Sequence, residues 1–314
     1  MGFEHQTVLL SEAVDALQVV PSGIYVDATF GRGGHSRAVL ARLGPQGCLL
    51  GIDRDPEAVA VGHALAAADP RFFIEHGAFA SLSSLVDARG WRGRVNGVLM
   101  DLGVSSPQLD DAGRGFSFQK DGPLDMRMNP QEGQSAAEYL AQASAEDMQA
   151  VFSELGEERF SRRIAQAIVR ARAERPLVGT RQLAEVVAAA VPTREAGKNP
   201  ATRVFQALRI HVNRELEQLV EALTQSLALL APGGRLVVIS FHSLEDRIVK
   251  RFMQHHARGP ELPRGMPLPA DAPAPALTLV GKAVRASEAE VAGNPRARSA
   301  IMRVAQRNVE GVHA

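Results

Sequence analysis

The sequence predicts an α/β fold in which a parallel sheet is interrupted by an inserted all-helical domain. Short segments that are apolar on both faces alternate with helical patterns near the start of the chain, which is typical of parallel strands covered by helices. From about Asp110 to Asn213 the sequence is turn-rich and then helical, and a strand pattern returns at Arg235–Ser240. We therefore predict a discontinuous sheet domain at residues 1–109 and 215–314, with the helical domain at 110–214.

Apolar runs and capping residues mark the elements of the sheet domain. Asp55, Pro56 and Glu57 supply an N-cap, a first-turn proline and a first-turn acid for a helix at Ala58–Ala67. Another helix is expected from Ser36, directly after a glycine-rich loop. The predicted strands are Ile24–Ala28, Cys48–Asp53, Phe72–Glu75, Val95–Asp101, Arg235–Ser240, Leu277–Val280 and Ser299–Ala305.

Helix boundaries in the inserted domain follow from capping residues and prolines. Ser144 begins a helix that Gly156 ends, and a second helix is expected at Glu157–Arg175. A third helix is predicted at Thr180–Val191, and Asn199 precedes the proline that begins a long fourth helix.

Composition restricts the classes of function. Lys+Arg and Asp+Glu both number 35, so no net charge attracts the whole protein to nucleic acid. Cys48 is the only cysteine, which rules out a disulfide framework and a cysteine-based zinc site, and the His255-His256 pair has no suitably spaced third ligand. No apolar run approaches the roughly 20 residues of a membrane span. We expect a soluble cytoplasmic protein without a bound metal, and a proline-rich surface loop at Gly259–Pro275.

The loop Thr29–His35 between the first strand and the first helix is the most informative motif. Its glycines allow a ligand to approach the backbone closely, and the following helix N-terminus offers N–H groups. Asp53 ends the next strand about 20 residues further on, where a carboxylate can bind ribose hydroxyls. Arg32 and His35 crowd the space that a pyrophosphate would need. The pattern therefore favours S-adenosylmethionine over a dinucleotide.

Three further segments carry candidate functional side chains. Asp101–Gln108 follows the fourth strand and combines an acid with small polar residues, although a capped turn would explain the same pattern. Arg114–Phe118 and Gly122–Met128 suit a loop that stacks an unpaired base, or a loop whose aromatic residues plug a domain interface. Ser240–Arg247 follows the fifth strand, and His242 among its carboxylates is either a base or part of a helix start.

Arginines recur in the second predicted helix of the inserted domain. They fall mainly on one side of that helix, and Glu157, Glu158 and Glu174 accompany them. A solvated helix face explains this pattern about as well as a track for phosphates. The residues are Arg159, Arg162, Arg163, Arg170 and Arg172.

Together these segments resemble the ribosomal RNA small-subunit methyltransferase H family, also called MraW, which methylates cytosine N4 in small-subunit ribosomal RNA. The similarity runs nearly end to end, and its motifs are His5–Leu10, Asp27–Ser36, Asp101–Asp110, Gly122–Met128 and Ser240–Arg247. The resemblance implies a class I, Rossmann-like methyltransferase sheet with an inserted helical substrate-recognition domain. It also implies 16S ribosomal RNA as the partner, within the assembled small subunit or as naked RNA.

The resemblance also assigns roles to individual residues. It implies S-adenosylmethionine contacts at Gly33, Gly34, His35, Asp53, Phe79, Asp101 and Gln108. The candidates to orient the target amine are Asp101, Ser105 and Ser106, with His242 and Asp246 as secondary candidates for proton handling or RNA contact. The candidates for substrate binding are Arg114, Phe116, Phe118 and Arg127. Other amino-methyltransferases have an aromatic residue after the proline that follows the fourth strand, and this chain departs from them after Pro107.

Two other functions remain open at this point. A nicotinamide-dependent oxidoreductase would use the same strand and glycine loop, but the crowding at Arg32 and His35 argues against it. A noncatalytic RNA-binding or ribosome assembly factor could retain the fold without the reaction. The sequence is compatible with a homodimer and does not establish the oligomeric state.

Overall fold

A computed structural model describes residues 7–193, 199–258 and 274–309 of the chain. The chain divides into two compact units. Unit 1 comprises Met1–Gly103 and Leu216–Ala314, and unit 2 comprises Val104–Glu215. The predicted loop at Gly259–Pro275 lies outside the described residues except for its last two positions, as does the start of the His5–Leu10 motif.

A single eight-stranded sheet forms the centre of unit 1. Its strands are β1 (Ile24–Asp27), β2 (Cys48–Asp53), β3 (Phe72–His76), β4 (Val95–Asp101), β5 (Leu230–Ser240), β6 (Leu277–Leu279), β7 (Val284–Arg285) and β8 (Ile301–Arg307). The order is β3-β2-β1-β4-β5-β8-β6, and β7 pairs with β8. Strands β1 to β5 run parallel, whereas β8 is antiparallel to its neighbours. The predicted α/β class is confirmed.

Helices lie in both units and follow one another in chain order. Before the insertion, unit 1 contains α1 (Leu10–Ala16), α2 (Gly34–Leu40), α3 (Pro56–Ala68) and α4 (Leu82–Asp87). Those of the insertion are α5 (Ser106–Asp110), α6 (Ala136–Gln142), α7 (Ala145–Glu154), α8 (Ser161–Glu174), α9 (Thr180–Ala190) and α10 (Thr202–Asn213). After the insertion, the chain forms α11 (Glu215–Leu229), α12 (Ser243–Arg258) and α13 (Glu288–Gly293).

Alternate side chains of the strands pack into two separate cores. Leu99 of β4 and Val237 of β5 lie in a cluster with residues of α1, α2 and α3. Met100 and Val238, one position further along each strand, lie in a second cluster with residues of α4, α11 and α12. Because successive strand residues point to opposite faces, both faces of the sheet are covered. This explains why the strands are apolar without alternation.

The strand order reverses between β1 and β4, and this topology positions the candidate site. The chain runs outward through β1, β2 and β3, and then returns to place β4 on the other side of β1. Ligands in open parallel sheets bind at such a switch point, beyond the carboxyl ends of the strands. Here those ends carry Asp27 on β1, Asp53 on β2 and Asp101 on β4.

Two predicted elements differ from those observed. The predicted turn before Arg235 belongs to β5, which pairs with β4 through Leu230, loses register and pairs again from Arg235. The long helix predicted from Asn199 is two helices, α10 and α11, which are separated by Arg214 with φ 51°. Asn213 explains the break, because its amide donates to the carbonyl of Met126 and accepts the N–H of Met128. These tertiary hydrogen bonds fix the end of α10.

Candidate active site

The loop after β1 has a backbone conformation that favours glycine. Gly31 and Gly33 have φ of 58° and 78°, and Gly33 is the residue that precedes α2. A Cβ on Gly33 would lie 2.8 Å from Cζ of Phe30, and a Cβ on Gly34 would lie 1.8 Å from Oγ1 of Thr7. Side chains at these positions would strain the backbone or displace their neighbours. The glycines therefore fix the path of the loop past the ends of β1 and β2.

Asp53 joins the loop to the end of β2. Its Oδ2 accepts the Gly31 N–H at 2.7 Å, and its Oδ1 accepts the Asp55 N–H at 2.8 Å. Burial raises the pKa of Asp53, and the backbone hydrogen bonds partly oppose that rise. Each carboxylate oxygen can accept more than one hydrogen bond, so the group can also receive hydroxyl donors from a ligand.

Asp27 is a buried acid at the end of β1, and only 2% of its surface is exposed. Its carboxylate accepts the Ser36 hydroxyl at 2.7 Å and the Thr29 N–H at 3.3 Å. Burial raises its pKa to about 6; the Ser36 and Thr29 hydrogen bonds lower the pKa, and the charge of Asp53 adds a smaller rise. Asp27 was not among the predicted site residues. The signal available in the sequence was that Asp27 ends a predicted strand region just before the glycine loop, which begins at Thr29.

Asp101 ends β4 and presents a buried acceptor. Its backbone N–H donates to Oγ1 of Thr29 at 2.6 Å, and its Oδ2 lies 3.7 Å from Nδ1 of His35. The Oδ1 atom is buried and has no hydrogen-bond partner among the residues that the structure describes. Burial raises the pKa of Asp101 well above its usual value, and the charges of Asp27 and Glu245 raise it further. A buried acceptor without a partner is costly, so this atom is suited to a donor from a ligand.

Phe79 follows β3 and begins a short 3-10 helix, Phe79–Ser81. Its ring is partly buried and packs against the cluster that contains Val26 and Ile52, two residues of the strands that carry Asp27 and Asp53. Because β1 and β3 run parallel, the residues that follow β3, including Phe79, lie at the same edge of the sheet as the glycine loop that follows β1.

His242 lies beside Glu245 at the start of α12, and its buried Nε2 has no hydrogen-bond partner among the residues that the structure describes. Its Nε2 lies 3.1 Å from Oε1 of Glu245, and its Nδ1 lies 3.4 Å from the Glu245 N–H. Oε2 of Glu245 accepts the N–H groups of Phe241 and His242, at 2.8 and 3.2 Å. These contacts cap the start of α12 and favour the helix-start interpretation of His242. Glu245 was missed from the sequence, although its spacing of three residues from His242 is that of a capping box.

Asp246 is engaged in a two-pronged ion pair. Its Oδ1 and Oδ2 lie 2.6 and 3.0 Å from Nε and Nη2 of Arg303 on β8. One guanidinium therefore occupies both carboxylate oxygens of Asp246. The geometry thus argues against the predicted proton-handling role of Asp246.

The predicted residues before and within α5 act as helix caps in unit 2. Ser105 precedes α5, and its N–H donates to Oε1 of Gln108 at 2.8 Å. Gln108 is buried, and Ser106 is the first residue of the helix. This arrangement is the capped turn, which was one of the two interpretations of the segment that contains Ser105, Ser106 and Gln108. Their roles in cofactor binding and amine orientation remain predictions.

The loop expected to expose aromatic and basic side chains is packed into unit 2. Phe116 is only 6% exposed, which favours the packed-loop alternative, and its contact with a base remains a prediction. The ring of Phe118 meets that of Phe205 edge to face at 4.9 Å. Arg114 is buried and donates to the carbonyl of Met128 at 2.7 Å. Glycines next to aromatic residues occur in packed loops as well as in binding loops, so the sequence could not distinguish the two.

Arg127 makes a local ion pair in the same loop. Its Nη2 and Nε lie 2.6 and 2.9 Å from the two carboxylate oxygens of Asp125, and its Nη1 donates to the carbonyl of Gly133. These contacts hold the loop together and leave the predicted RNA contact of Arg127 untested.

Within residues 7–193, 199–258 and 274–309, His, Cys, Asp and Glu form no group of three that could hold a metal ion. No helix in those ranges combines the length and apolar character needed to cross a bilayer.

Comparison with known proteins identifies the family. The sequence model described as the MraW methylase family matches residues 2–308. The chain belongs to the MraW methylase family. Among solved structures, the chain is similar to a candidate rRNA methylase from Clostridium thermocellum at 12% identity, TM-score 0.45, covering 98% of this chain and 100% of that one. It is also similar to an rRNA methylase from Streptococcus thermophilus at 10% identity, TM-score 0.45, covering 97% and 98%. At these scores, neither structural similarity bears on the site.

A member of this methylase family uses S-adenosylmethionine as its methyl donor, and unit 1 contains groups that fit this cofactor. The cofactor carries a ribose and two cationic centres, a sulfonium and an ammonium. Asp53 offers carboxylate oxygens for hydroxyl donors, and the buried Oδ1 of Asp101 offers an acceptor for an N–H donor. The nearby carboxylates of Asp27 and Glu245 favour positive charge in the same region. The donor set of this MraW-family methylase is therefore suited to a cationic ribonucleoside.

Proposed function

We propose that this MraW-family methylase transfers the methyl group of S-adenosylmethionine to N4 of a cytosine in small-subunit (16S) ribosomal RNA. Membership of the family supports the methyl transfer. The single structural observation that carries the proposal is the buried Oδ1 of Asp101, which lacks a partner among the described residues at the end of β4. An acceptor in that position is what an amine nucleophile requires.

The proposed cofactor contacts in unit 1 are the loop and the strand ends. We assign the ribose hydroxyls to Asp53, the adenine ring to Phe79, and the cationic part to the region of Asp101 and His35. Gly33 and Gly34 allow the close approach of the cofactor to the backbone. The proposed contact of Gln108 follows from the resemblance alone.

The proposed reaction is limited by the weak nucleophilicity of the cytosine amine, whose lone pair is shared with the ring. When bound, S-adenosylmethionine supplies an electrophilic methyl group, and the electron pair of the breaking C–S bond returns to sulfur. Asp101 would accept an N–H of the amine and hold the nitrogen in line with that methyl group. Positioning of this kind supplies on the order of 7–11 kcal/mol of a barrier.

The amine proton must also leave as the N–C bond forms. Asp101 is the candidate acceptor, because burial keeps its pKa well above the usual range of a carboxyl and so increases its basicity. His242 and Asp246 are secondary candidates, and Asp246 is already held by Arg303 in an ion pair. The proposed role of unit 2 is substrate recognition, and the cytosine must be unpaired or flipped out of a duplex to be reached.

Asp101→Asn tests the positioning role, because asparagine keeps the shape of the side chain and removes its charge. We expect the rate of methyl transfer at saturating RNA and cofactor to fall by about 100-fold or more. Calorimetry should show a smaller change in cofactor affinity. The matched control is Asp15→Asn, an exposed acid of α1 that pairs with Arg42. A full rate in Asp101→Asn would exclude Asp101 from the reaction.

Asp53→Ala tests the ribose contact separately. We expect the dissociation constant of S-adenosylmethionine to rise by about 10- to 100-fold, as for the loss of hydrogen bonds to a charged group. Isothermal titration calorimetry measures this directly. Unchanged affinity would exclude the ribose role of Asp53.

The substrate itself is tested with labelled cofactor. Small-subunit RNA and small subunits from a strain that lacks this protein should each be offered, and the labelled nucleotide mapped. We expect label on N4 of a cytosine. If the chain binds RNA but never transfers label, it is instead a noncatalytic assembly factor.

A further inference from the structure

One side of α8 in unit 2 presents exposed arginines. Arg162, Arg163 and Arg170 are exposed, and Arg159 is exposed just before the helix begins. Arg163 and Arg170 are two turns apart and so lie on one side, whereas Ile164 is buried on the other side. We call Arg159, Arg162, Arg163 and Arg170 the arginine row. Within the helix it extends over about 12 Å.

The arginine row is a cationic stretch of unit 2, and the exposed acids Glu157 and Glu174 flank it in sequence. Across the described ranges, the structure records no ion pair between a member of the row and an aspartate or glutamate. Arg172 of the same helix differs, because its Nη1 donates to the carbonyls of Leu140 and Ala143. Glu158 is buried, and its carboxylate accepts the Phe160 N–H at 2.8 Å. The row is therefore available for an external anion.

A cavity lies at the N-terminal end of the row. Its volume is about 220 Å³, and its lining includes Arg159, Phe160, Thr193 and Gln206. The guanidinium carbon of Arg159 lies 4.8 Å from the centre of the Phe160 ring, and its Nη2 donates to Oγ1 of Thr193 at 3.0 Å. The planar cation is thereby held at the edge of the cavity. Guanidinium planes and aromatic rings are the groups on which unpaired bases stack.

We propose that the arginine row binds the phosphodiester backbone of single-stranded RNA, with one unpaired base of the same strand in the cavity beside Arg159. Phosphates match the charge of the row, and the amide of Gln206 offers hydrogen bonds to a base edge. The identity of the ligand as ribosomal RNA rests on the proposed function. The contact itself lies within unit 2 and involves none of the groups assigned to methyl transfer.

The test compares two double variants of the full-length protein. Arg162→Gln/Arg163→Gln removes two charges from the row, and Arg175→Gln/Arg181→Gln removes two exposed charges elsewhere in unit 2. Fluorescence anisotropy measures the affinity for a labelled single-stranded fragment of small-subunit ribosomal RNA at several salt concentrations. Thermal melting confirms that both variants remain folded.

Two lost phosphate contacts should reduce the slope of log K against log salt by about 1.4. Between about 50 and 200 mM salt, the wild type should therefore lose about sevenfold more affinity than the row variant. The control variant should follow the wild type. A duplex of the same sequence should bind more weakly than the single strand, because its bases are paired.

Several outcomes would overturn the inference. Identical salt slopes in the wild type and the row variant exclude the backbone contact, and equal affinity for single strand and duplex excludes the base in the cavity. If the row variant binds RNA normally but binds assembled small subunits poorly, the row contacts a ribosomal protein instead. Labelled methyl transfer tests the proposed function separately. If the wild type binds RNA through the row but transfers no label, the proposed function fails and the RNA contact of the row still holds.

Discussion

The buried carboxyl of Asp27 should make the stability of unit 1 depend on pH. The folded structure surrounds this acid with protein and raises its pKa to about 6, from an unfolded value of 3.8. The protonated carboxyl is therefore favoured by folding. Its stabilising contribution is fully present below about pH 4, and it is lost as the pH rises through about 6.

The size of this effect follows from the two pKa values. They differ by about 2, which corresponds to about 3 kcal/mol of stability lost by pH 8 relative to strongly acidic solution. Asp27→Asn removes the titration. The asparagine oxygen can still accept the Thr29 N–H, and its amide can donate to the Ser36 hydroxyl. We expect the variant to gain stability relative to the wild type as the pH rises, by up to about 3 kcal/mol.

Urea denaturation between about pH 4 and pH 8 measures this difference, with tryptophan fluorescence as the probe. Trp91 is the only tryptophan and lies in unit 1, so the signal reports the unit that contains Asp27. The charge of Asp27 raises the pKa of Asp101, so its removal also lowers that pKa and adds to the expected gain in stability at high pH. Glu288→Gln, an exposed change on α13, serves as the control. Parallel stability curves for Asp27→Asn and the wild type would refute the reasoning.

Two other substitutions test the loop and the ion pair. Gly33→Ala should lower the melting temperature more than Gly90→Ala, because both glycines have positive φ but only at Gly33 would a Cβ meet a neighbour. Equal effects in the two variants would show that the loop relaxes around the new methyl group. Asp246→Asn should lower the melting temperature by breaking the pair with Arg303, while the methyl-transfer rate stays within about twofold of the wild type. A large loss of methyl-transfer rate without a loss of stability would show that Asp246 takes part in the reaction.

The architecture of unit 1 could be predicted because each strand carries its own signal. Val95–Asp101 and Cys48–Asp53 are apolar on both faces, and the observed bounds agree with those predicted. The end of α10 could not be predicted in this way. Its position depends on the hydrogen bonds of Asn213 with a loop more than 80 residues away in sequence. Short-range patterns contain no information about such contacts.

Residues of the candidate site could be predicted only where the backbone conformation and the side-chain chemistry both leave a signal in the sequence. Gly33 and Asp53 combine a tight loop with an acid at a strand end, and their positions at the switch point follow from the fold. Phe116 shows the limit, because an aromatic residue between polar neighbours has the same local sequence whether it is exposed or buried. Asp27 lies in the Asp27–Ser36 motif but was not chosen as a site residue, because the motif does not show that this acid is buried.

The raised pKa values at the strand ends connect the fold to the choice of ligand. Burial raises the pKa values of Asp27, Asp53 and Asp101, so the ionised forms of these carboxyls are less favourable in the folded protein than in water. A cationic ligand reverses that preference, because an opposite charge lowers the pKa of each acid. If these acids contact the cofactor as proposed, we expect sulfonium binding to release protons and to become tighter as the pH rises. The thioether product of methyl transfer has lost the sulfonium charge, so we expect it to gain less from the same carboxylates than the donor does.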